Sequence, residues 1–324
     1  MKFANVGVAI IAIWLALASL VAHGQTYPAK PVRIIVGFAA GGQTDIPVRI
    51  VASKLGDLWG TGVIVENRTG AGGRIAADMV AKAPADGYTL LACTTATHGI
   101  NPALYKQLPY DPIKDFTPIS QFGTSPSVLL VHPAVPINSV LELLAYAKAK
   151  PGGLSVATAG TGTSQYLAFE LLKLMTGANI VQVPYKGGAP AIADLIGGQV
   201  PAMISGLPTA LAWIKSGKVR ALGVTSTTRS PQAPEVPAIA ESGVPGFEVV
   251  AWLGFCAPAG LPKPLLAKLN ADVRQVLSMP DTEKRLAEHG VDAKPTTSEQ
   301  FDAHIKSEIA KWTKVVKEAG ITAE

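Results

Sequence analysis

The chain has 324 residues, of which 48% are hydrophobic, so it can form one large or two ordinary domains with real apolar cores. Its formal net charge of +5 is spread without a basic run or interleaved aromatic residues, which argues against a nucleic-acid partner and favours anionic ligands. No CxxC, HExxH or His-rich cluster occurs, so we expect no protein-held metal and no cofactor.

The N-terminal residues set the expected compartment. Lys2 precedes an apolar run over residues 6–21, and residues 22–24 are the small Ala-His-Gly sequence that a signal peptidase could read. This pattern predicts a signal peptide over residues 1–24 and a soluble periplasmic protein. The run is shorter than the ~20 residues of a comfortable membrane span, although an uncleaved anchor remains an alternative. Without Lys2 the chain carries 27 Lys and Arg against 23 Asp and Glu, a net charge of +4.

The first part of the exported chain alternates strands and helices. An apolar, β-branched run begins near residue 31 and leads through a Gly-Gly turn to a helix, which Asp45 caps and Gly60 ends. The predicted elements after the first strand are a helix over 45–59, a strand over 62–66, a helix over 75–82 and a strand over 87–94. This alternation predicts a parallel α/β sheet.

The middle of the chain repeats this rhythm after a Pro-rich connection. Apolar runs near 119–122 and 127–132 precede the repeat. The predicted elements of the second unit are helix 139–150, strand 154–158, helix 163–175, strand 180–185, helix 189–196, strand 200–204 and helix 207–214. A strand over 219–225 is then expected to lead back to the first unit.

The last part of the chain is expected to complete the first sheet. An apolar strand over 247–257 rejoins it, and helices near 263–278, 281–288 and 298–318 cover it, because their apolar positions recur at helical spacing opposite charged faces. The resulting prediction is an α/β fold of two domains with a ligand cleft between two parallel-type sheets. Domain 1 comprises residues 25–123 and 226–324, and domain 2 comprises residues 124–225. Ligands bind beyond the carboxyl ends of strands in such sheets, and hinge closure fits this layout.

The loop over residues 38–45 follows the first strand and is a candidate anion site. Backbone N–H groups near a helix start can bind a carboxylate without Lys or Arg. We interpret this loop as a receiver of a ligand carboxylate, with Asp45 capping the helix and holding a bridging water. An ordinary strand-to-helix turn is the alternative. The candidate ligand residues here are Phe38, Ala39, Ala40, Gly41, Gly42, Thr44 and Asp45.

A second loop, over residues 158–164, places hydroxyl groups and two glycines before a helix. It lacks the third glycine of a dinucleotide fingerprint and the Gly-Lys-Ser/Thr ending of a phosphate loop, so a carboxylate suits it better than a polyphosphate. A plain turn is again the alternative. The candidates are Thr158, Gly160, Thr161, Gly162, Thr163 and Ser164.

Further candidates lie at other strand ends. Thr94, Thr95, Thr97 and His98 follow the third strand and could line the same cleft, although His98 could equally be a buried imidazole with satisfied hydrogen bonds. Tyr185 could close over a ligand, and Ser205 ends another strand.

The two cysteines, Cys93 and Cys256, lie inside apolar runs. We interpret them as buried small hydrophobic residues. A disulfide between them stays open, because an oxidising compartment permits it and spacing does not decide it.

Catalytic signals are weak. No Gly-x-Ser-x-Gly elbow occurs, and the candidate cleft residues are short of general acids and bases. The rival hypotheses are a secreted hydrolase that uses Ser164 or Ser205 with His98, and a nucleotide-binding enzyme that uses the Gly160 loop. We expect no reaction to be catalysed.

Seven segments, in matching order and spacing, carry a resemblance that covers the whole exported chain. They are 27–33 (Tyr-Pro-Ala-Lys-Pro-Val-Arg), 38–45 (Phe-Ala-Ala-Gly-Gly-Gln-Thr-Asp) with Arg49, 65–73 (Val-Glu-Asn-Arg-Thr-Gly-Ala-Gly-Gly), 85–90 (Ala-Asp-Gly-Tyr-Thr-Leu), 183–187 (Val-Pro-Tyr-Lys-Gly), 195–200 (Leu-Ile-Gly-Gly-Gln-Val) and Trp252-x-Gly254. The chain resembles the Bug (Bordetella uptake gene) family, the periplasmic solute receptors of tripartite tricarboxylate transporters.

The resemblance implies a monomeric receptor that holds a small mono- or dicarboxylate between two domains and delivers it to two integral membrane transporter subunits. It implies ligand contacts in the loops 39–45 and 159–164, through backbone amides and ordered water. The family often has Pro where this chain has Ala40 and Gln43, and His where it has Tyr166. Many members carry Asp where this chain has Ser205, which favours a non-amino carboxylate over an amino acid; an amino-acid-specific member remains the alternative.

Overall fold

The computed structural model describes residues 27–318, 320 and 321. The predicted signal peptide over residues 1–24 therefore lies outside the described residues. Within the described part of the chain, no helix combines the length and the apolar character that crossing a membrane requires.

Ten strands and ten α-helices are found in the described residues. The first half contains β1 (Val32–Val36), α1 (Asp45–Trp59), β2 (Val63–Asn67), a 3-10 turn (Ala71–Gly73), α2 (Arg74–Ala81), β3 (Thr89–Thr94), a π-helical turn (Thr95–Ile100), α3 (Asn101–Leu104), β4 (Phe116–Val131) and α4 (Val140–Ala149). The second half contains β5 (Leu154–Thr158), α5 (Ser164–Thr176), β6 (Ile180–Pro184), α6 (Gly188–Ile196), β7 (Ala202–Gly206), α7 (Leu207–Lys215), β8 (Arg220–Val224), β9 (Val250–Pro258), α8 (Lys263–Leu277), α9 (Pro280–Glu288), β10 (Asp292–Ala293) and α10 (Ser298–Glu318).

Two groups of strands form the sheet framework. In the first, β1 pairs in parallel with β2 and β3, and β9 lies antiparallel between β3 and β4. In the second, β5 pairs in parallel with β6 and β7, whereas β7 and β8 each run antiparallel to β4. The α/β prediction is confirmed, with the difference that both sheets are mixed, because β4 and β9 run against their neighbours.

Strand β4 belongs to both sheets. The two predicted runs over 119–122 and 127–132 are parts of this single strand, despite Pro118 and Pro126. The pairing of β4 with β9 shifts register between Pro118 and Ser120. Such an irregularity accommodates proline, which has no backbone N–H to donate to the neighbouring strand. Strand β8 pairs with β4 in the second sheet, and the chain re-enters the first sheet at β9, as the sequence predicted.

The core lies between the sheets and their helices. On the first sheet, α1 buries Val48, Val51 and Leu55 completely, and on the second sheet Phe169 of α5 is equally buried. These side chains follow the apolar spacing read from the sequence, and burying each contributes roughly 1.5–3 kcal/mol relative to exposure. The two sheets are thereby fixed so that the ends of β1, β3, β5 and β7 surround one cleft.

Cys93 of β3 and Cys256 of β9 form a disulfide, with their Cα atoms 6.0 Å apart. The interpretation as two unpaired residues is wrong, although both are buried as expected. Antiparallel pairing sets Leu91 opposite Cys256 and Cys93 opposite Gly254, so the cysteines are diagonal neighbours. The sequence separation of 163 residues concealed this pairing.

Candidate functional site

The cleft contains two adjoining cavities. The inner cavity is lined by Phe38, Gly42, Gln43, Thr44, Thr94, Thr95, Ala96, Ala159, Thr163, Ser164, Gln165, Gly188, Gly206, Ala251, Trp252 and Leu253. The outer cavity is lined by Gly37, Phe38, Gly70, Ala71, Gly72, Gly73, Arg74, Tyr105, Ala159, Gly160, Thr161, Tyr166, Pro184, Tyr185 and Lys186. Phe38 and Ala159 line both, so these two residues form the common wall.

The first loop is held in shape by the buried carboxylate of Asp45. Its Oδ2 accepts hydrogen bonds from Gly41 N (2.9 Å) and Arg49 Nε (2.9 Å), and its Oδ1 accepts one from Asn67 Nδ2 (2.8 Å). Burial by itself raises the pKa of Asp45, but the hydrogen bonds from Arg49, Asn67 and Gly41 outweigh it, so the pKa lies below its ordinary value. Asp45 is therefore an ionised structural anchor of the loop.

These contacts decide which loop amides remain for a ligand. Gly41 N donates to Asp45, and Gly42 N donates to the carbonyl oxygen of Ala39 (3.3 Å). Among the described residues, no acceptor takes the N–H of Gln43 or Thr44, and both residues line the inner cavity. Of the predicted loop residues, Gly41 and Gly42 therefore use their N–H groups within the loop, whereas the unpaired N–H groups of residues at the cavity wall belong to Gln43 and Thr44.

The second loop is organised by Thr163, the N-cap of α5. Its hydroxyl accepts a hydrogen bond from Tyr166 N (3.2 Å) and donates one to the carbonyl oxygen of Gly160 (2.7 Å). The N–H groups of Ser164 and Gln165, in the first turn of the helix, have no acceptor among the described residues. Both residues line the inner cavity.

The two loops touch across the cleft. The side-chain oxygen of Gln43 accepts a hydrogen bond from Gln165 Nε2, and Gln43 Nε2 donates to the carbonyl oxygen of Ser125 on β4 (3.3 Å). Gln165 Nε2 also reaches Ser127 Oγ at 3.2 Å. In this structure the cleft is therefore closed at Gln43.

The back wall of the inner cavity is fixed by Thr95 and Trp252. Thr95 Oγ1 accepts a hydrogen bond from Trp252 N (2.7 Å), and Trp252 Nε1 donates to Glu308 Oε2 (3.0 Å). Trp252 is 2% exposed. This wall is apolar and rigid, and it will shape a ligand's carbon chain more than its charged ends.

The inner cavity is lined by neutral groups. Among the described residues, no Asp, Glu, Lys, Arg or His lines it. Unpaired N–H groups at the starts of α1 and α5 meet there, and helix N-termini carry partial positive charge. Such a site stabilises a carboxylate and offers no counter-charge to an ammonium group.

The outer cavity carries the cations. The Arg74 guanidinium lies 3.7 Å from the Tyr105 ring centroid, and Lys186 is exposed at the rim. Gly72 has a φ of 62°, and a Cβ there would meet the carbonyl oxygen of Thr161 at 2.5 Å, so only glycine permits this close approach of the two sides. The Tyr185 hydroxyl is held by Asp194 (2.7 Å).

The predicted ligand residues fall into three sets. Those at the inner cavity are Phe38, Gly42, Thr44, Thr94, Thr163 and Ser164. Those at the outer cavity are Phe38, Gly160, Thr161 and Tyr185. Those at neither wall are Ala39, Ala40, Gly41, Asp45, Thr97, His98, Thr158, Gly162 and Ser205.

The residues of the hydrolase hypothesis do not form a catalytic pair. His98 is fully buried, its Nδ1 contacts Thr97 Oγ1 (3.0 Å), and burial lowers the pKa of His98 to about 3. The Ser205 hydroxyl lies against the carbonyl oxygen of Gly206 (3.3 Å), and Ser164 Oγ lies 3.4 Å from Gln165 Oε1. An imidazole packed between Tyr110 and Phe116 has no route to either serine hydroxyl.

Three further inner-cavity residues, Gln43, Thr95 and Ala159, lie in segments that the sequence analysis placed at the cleft. Sequence reasoning did not assign the remaining seven to the site. They are Ala96, Gln165, Gly188, Gly206, Ala251, Trp252 and Leu253. Gln165 directly follows the second predicted loop, so extending that loop by one residue finds it. The β9 residues required knowing that Thr94 pairs with Leu253.

Comparisons with known proteins agree with this geometry. A family model described as the tripartite tricarboxylate transporter family receptor matches residues 48–321. Protein BugT of Bordetella pertussis is 39% identical over 315 residues, which are 96% of this chain and 97% of BugT.

Solved structures extend the likeness to the fold. Rpa4515 of Rhodopseudomonas palustris, solved with adipate, superposes with a TM-score of 0.89 at 38% identity, covering 91% of this chain and 99% of that one. MatC of the same organism, solved with bound malate, gives 0.85 at 35% identity, covering 90% and 100%. These overlaps confirm the predicted two-domain periplasmic-binding-protein fold.

Proposed function

Because the chain belongs to the family of tripartite tricarboxylate transporter receptors, we propose that it binds a small non-amino mono- or dicarboxylate in the inner cavity. The observation that carries the proposal is that four residues with unpaired backbone N–H groups, Gln43, Thr44, Ser164 and Gln165, all line one cavity. Two helix starts facing each other hold an anion without any cationic side chain.

The lining also argues for the absence of an amino group on the ligand. An ammonium group in the cavity would lose water and gain no carboxylate partner there, and an unpaired buried charge is costly. The ligand's carbon chain instead meets Phe38 and Trp252.

The relatives support the chemical class. The similar structures of Rpa4515 and MatC were solved with adipate and malate, both dicarboxylates. In this chain, one carboxylate of such a ligand would accept hydrogen bonds from the N–H groups at the starts of α1 and α5. The rest of the ligand would lie along the apolar wall. Direct and water-mediated hydrogen bonds are both compatible with N–H donors that face a cavity.

We propose that ligand binding is coupled to a hinge motion that closes domain 1 (residues 25–123 and 226–324) against domain 2 (residues 124–225). The support is that β4 passes from one sheet to the other near Ser125 and that the contact of Gln43 with Gln165 joins the two sides. A ligand drives closure only if it binds the closed form better than the open one. The backbone amides of both loops provide this difference in affinity between the closed and open forms, because only closure lets them bind the same carboxylate.

The remaining parts of the proposal concern the cell. The receptor, with residues 1–24 removed, works in the periplasm as a monomer and delivers its ligand to two integral membrane subunits. It catalyses no reaction, because the cavity lining offers neither an activated nucleophile nor a general base.

A thermal-shift screen of the purified protein tests this function. Carboxylates should raise the unfolding temperature, since a ligand of the native state stabilises it by mass action. Amino acids that differ from the active carboxylates only by an amino group serve as matched controls and should give little shift. A shift with nucleotides alone, or with amino acids in preference to the carboxylates, would contradict the proposal.

A further inference from the structure

The side chain of Gln43 crosses the cleft from the first loop. Its amide bonds to Gln165 on one side and to the Ser125 carbonyl on the other. A Cβ placed on Gly206 would overlap the Gln43 side chain, so this side chain lies directly on the Gly206 backbone. Gln43 therefore fills the space that the missing side chain of residue 206 leaves.

The surrounding hydrogen bonds hold Gln43 in that position. Gln165 is 4% exposed, and its Nε2 donates to both Gln43 Oε1 and Ser127 Oγ. Swinging Gln43 out of the cleft would leave the Ser125 carbonyl and the Gln165 amide without this partner, and buried polar groups without partners cost free energy. The side chain is thus a fixed part of the cavity wall.

The other walls cannot give way in its place. Trp252 and Leu253 are each 2% exposed and belong to a central strand, and Gly188 and Gly206 have no side chain to withdraw. On the Gly206 side of the inner cavity, a longer ligand therefore gains room by displacing Gln43.

We infer that Gln43 is the specificity-determining residue of the inner cavity and restricts the receptor to short-chain carboxylates. The inference rests on the proposed function. A ligand chain that grows past the space left by Gln43 must break the bonds of Gln43 to Gln165 and Ser125, whereas a short chain leaves them intact. One methylene that fits or fails to fit an apolar pocket changes affinity by about 10- to 200-fold.

Calorimetric titration with the straight-chain dicarboxylates from malonate to suberate tests the inference. The wild type should prefer the short members. Gln43→Ala should raise the affinity for adipate or suberate relative to succinate by at least about tenfold. Gln43→Met keeps the bulk without the amide hydrogen bonds and should fall between the wild type and Gln43→Ala in its chain-length preference.

Two further variants make the comparison secure. Gln199→Ala removes an exposed glutamine outside both cavities and should behave as the wild type. Gln43→Ser repeats the truncation should Gln43→Ala not fold.

Three outcomes would overturn the inference. The first is an unchanged chain-length ranking in the truncated variants. The second is a Met variant that matches the Ala variant, because bulk would then not be the determinant. The third is loss of all binding in the truncated variants while Gln199→Ala still binds, because Gln43 would then be a ligand contact rather than a limit. A wild type that binds none of the series, but responds to another class of compound, would instead refute the proposed function itself.

Discussion

Asn67 Nδ2 donates a hydrogen bond of 2.8 Å to Asp45 Oδ1, and the same nitrogen donates one of 2.9 Å to the carbonyl oxygen of Phe38. One amide group on β2 thereby ties the start of the first loop to its end. The loop that presents the Gln43 and Thr44 amides keeps its shape through this tie and not through the sequence of the loop alone.

Asp45→Ala should destabilise the protein by about 1–3 kcal/mol, because it removes the buried carboxylate that accepts hydrogen bonds from the Gly41 N–H and the Asn67 amide. The loss of the Arg49 contact adds little, since the Arg49 side chain is 47% exposed. Urea denaturation measures the change. Asp57→Ala, at an exposed position of the same helix, should change stability by less than about 0.5 kcal/mol. Equal effects of the two variants would show that Asp45 does not anchor the loop.

The Asp45 contribution should depend on pH in a defined direction. The folded-state pKa lies below the ordinary value of 3.8, so the stabilisation is complete above that value and is lost as pH falls through the lower folded-state pKa. The difference in unfolding free energy between wild type and Asp45→Asn should therefore be constant from about pH 5 to 7 and shrink below pH 3.8. Denaturant titrations at a series of pH values measure it. A difference that grows on acidification would contradict the assignment.

Thr163→Ala should reduce both stability and ligand affinity. Loss of an N-cap costs about 1 kcal/mol, and here it also frees the helix start that carries the Ser164 and Gln165 amides. Ser139→Ala is the matched control, because Ser139 caps α4 by the same contact, 3.1 Å to Glu142 N, away from both cavities. Both variants should lower the unfolding temperature similarly, and only Thr163→Ala should weaken carboxylate binding. Equal affinities in calorimetry would argue against a ligand role for the α5 start.

Lys186→Gln should slow carboxylate association several-fold at low salt and leave dissociation unchanged. Lys186 lies at the outer cavity, through which an anion would approach the neutral inner site, and such steering is screened by salt. Lys148→Gln removes the same charge from an exposed position on α4 outside both cavities. Stopped-flow rates at two ionic strengths should separate the variants. The absence of a salt-dependent difference would rule out steering by Lys186.

Local features of the fold and site could be predicted from sequence because neighbouring residues determine them. The turn after β1 and the glycine stop after Trp59 each act within a few residues, and the structure contains both. The prediction that Asp45 caps α1 is wrong, because Thr44 is the N-cap and no side chain makes a capping hydrogen bond there. Asp45 shows the limit of such reasoning, since its carboxylate reaches back to Gly41 but depends equally on Asn67 from another strand.

Long-range features could not be predicted because no local pattern encodes them. Strand β4 is long only because β9 and β7 pair with its two halves, and the Cys93–Cys256 bond needs β9 beside β3. The same pairing brings Trp252 to the cavity. Side-chain contacts across the cleft, such as that of Gln43 with Gln165, depend on both lobes being in place.

Gly206→Ala should act through Gln43. The φ of Gly206 is −60°, which alanine adopts without strain, so the only cost is the overlap of the new methyl group with the Gln43 side chain. The Gln43 Cβ is among the atoms that the new methyl group would overlap, so Gly206→Ala should lower the unfolding temperature of the wild type but do so much less in a Gln43→Gly background. The double-mutant cycle should give a coupling of about 0.5–3 kcal/mol, as for residues in contact.

Succinate affinity of the same four proteins provides the second measurement for this cycle. Gly206→Ala alone should weaken binding, because the displaced Gln43 side chain occupies ligand space, and removal of Gln43 should restore part of the loss. Strictly additive effects on both stability and affinity would mean that residues 43 and 206 do not share this space, and that another group fills the cavity over Gly206.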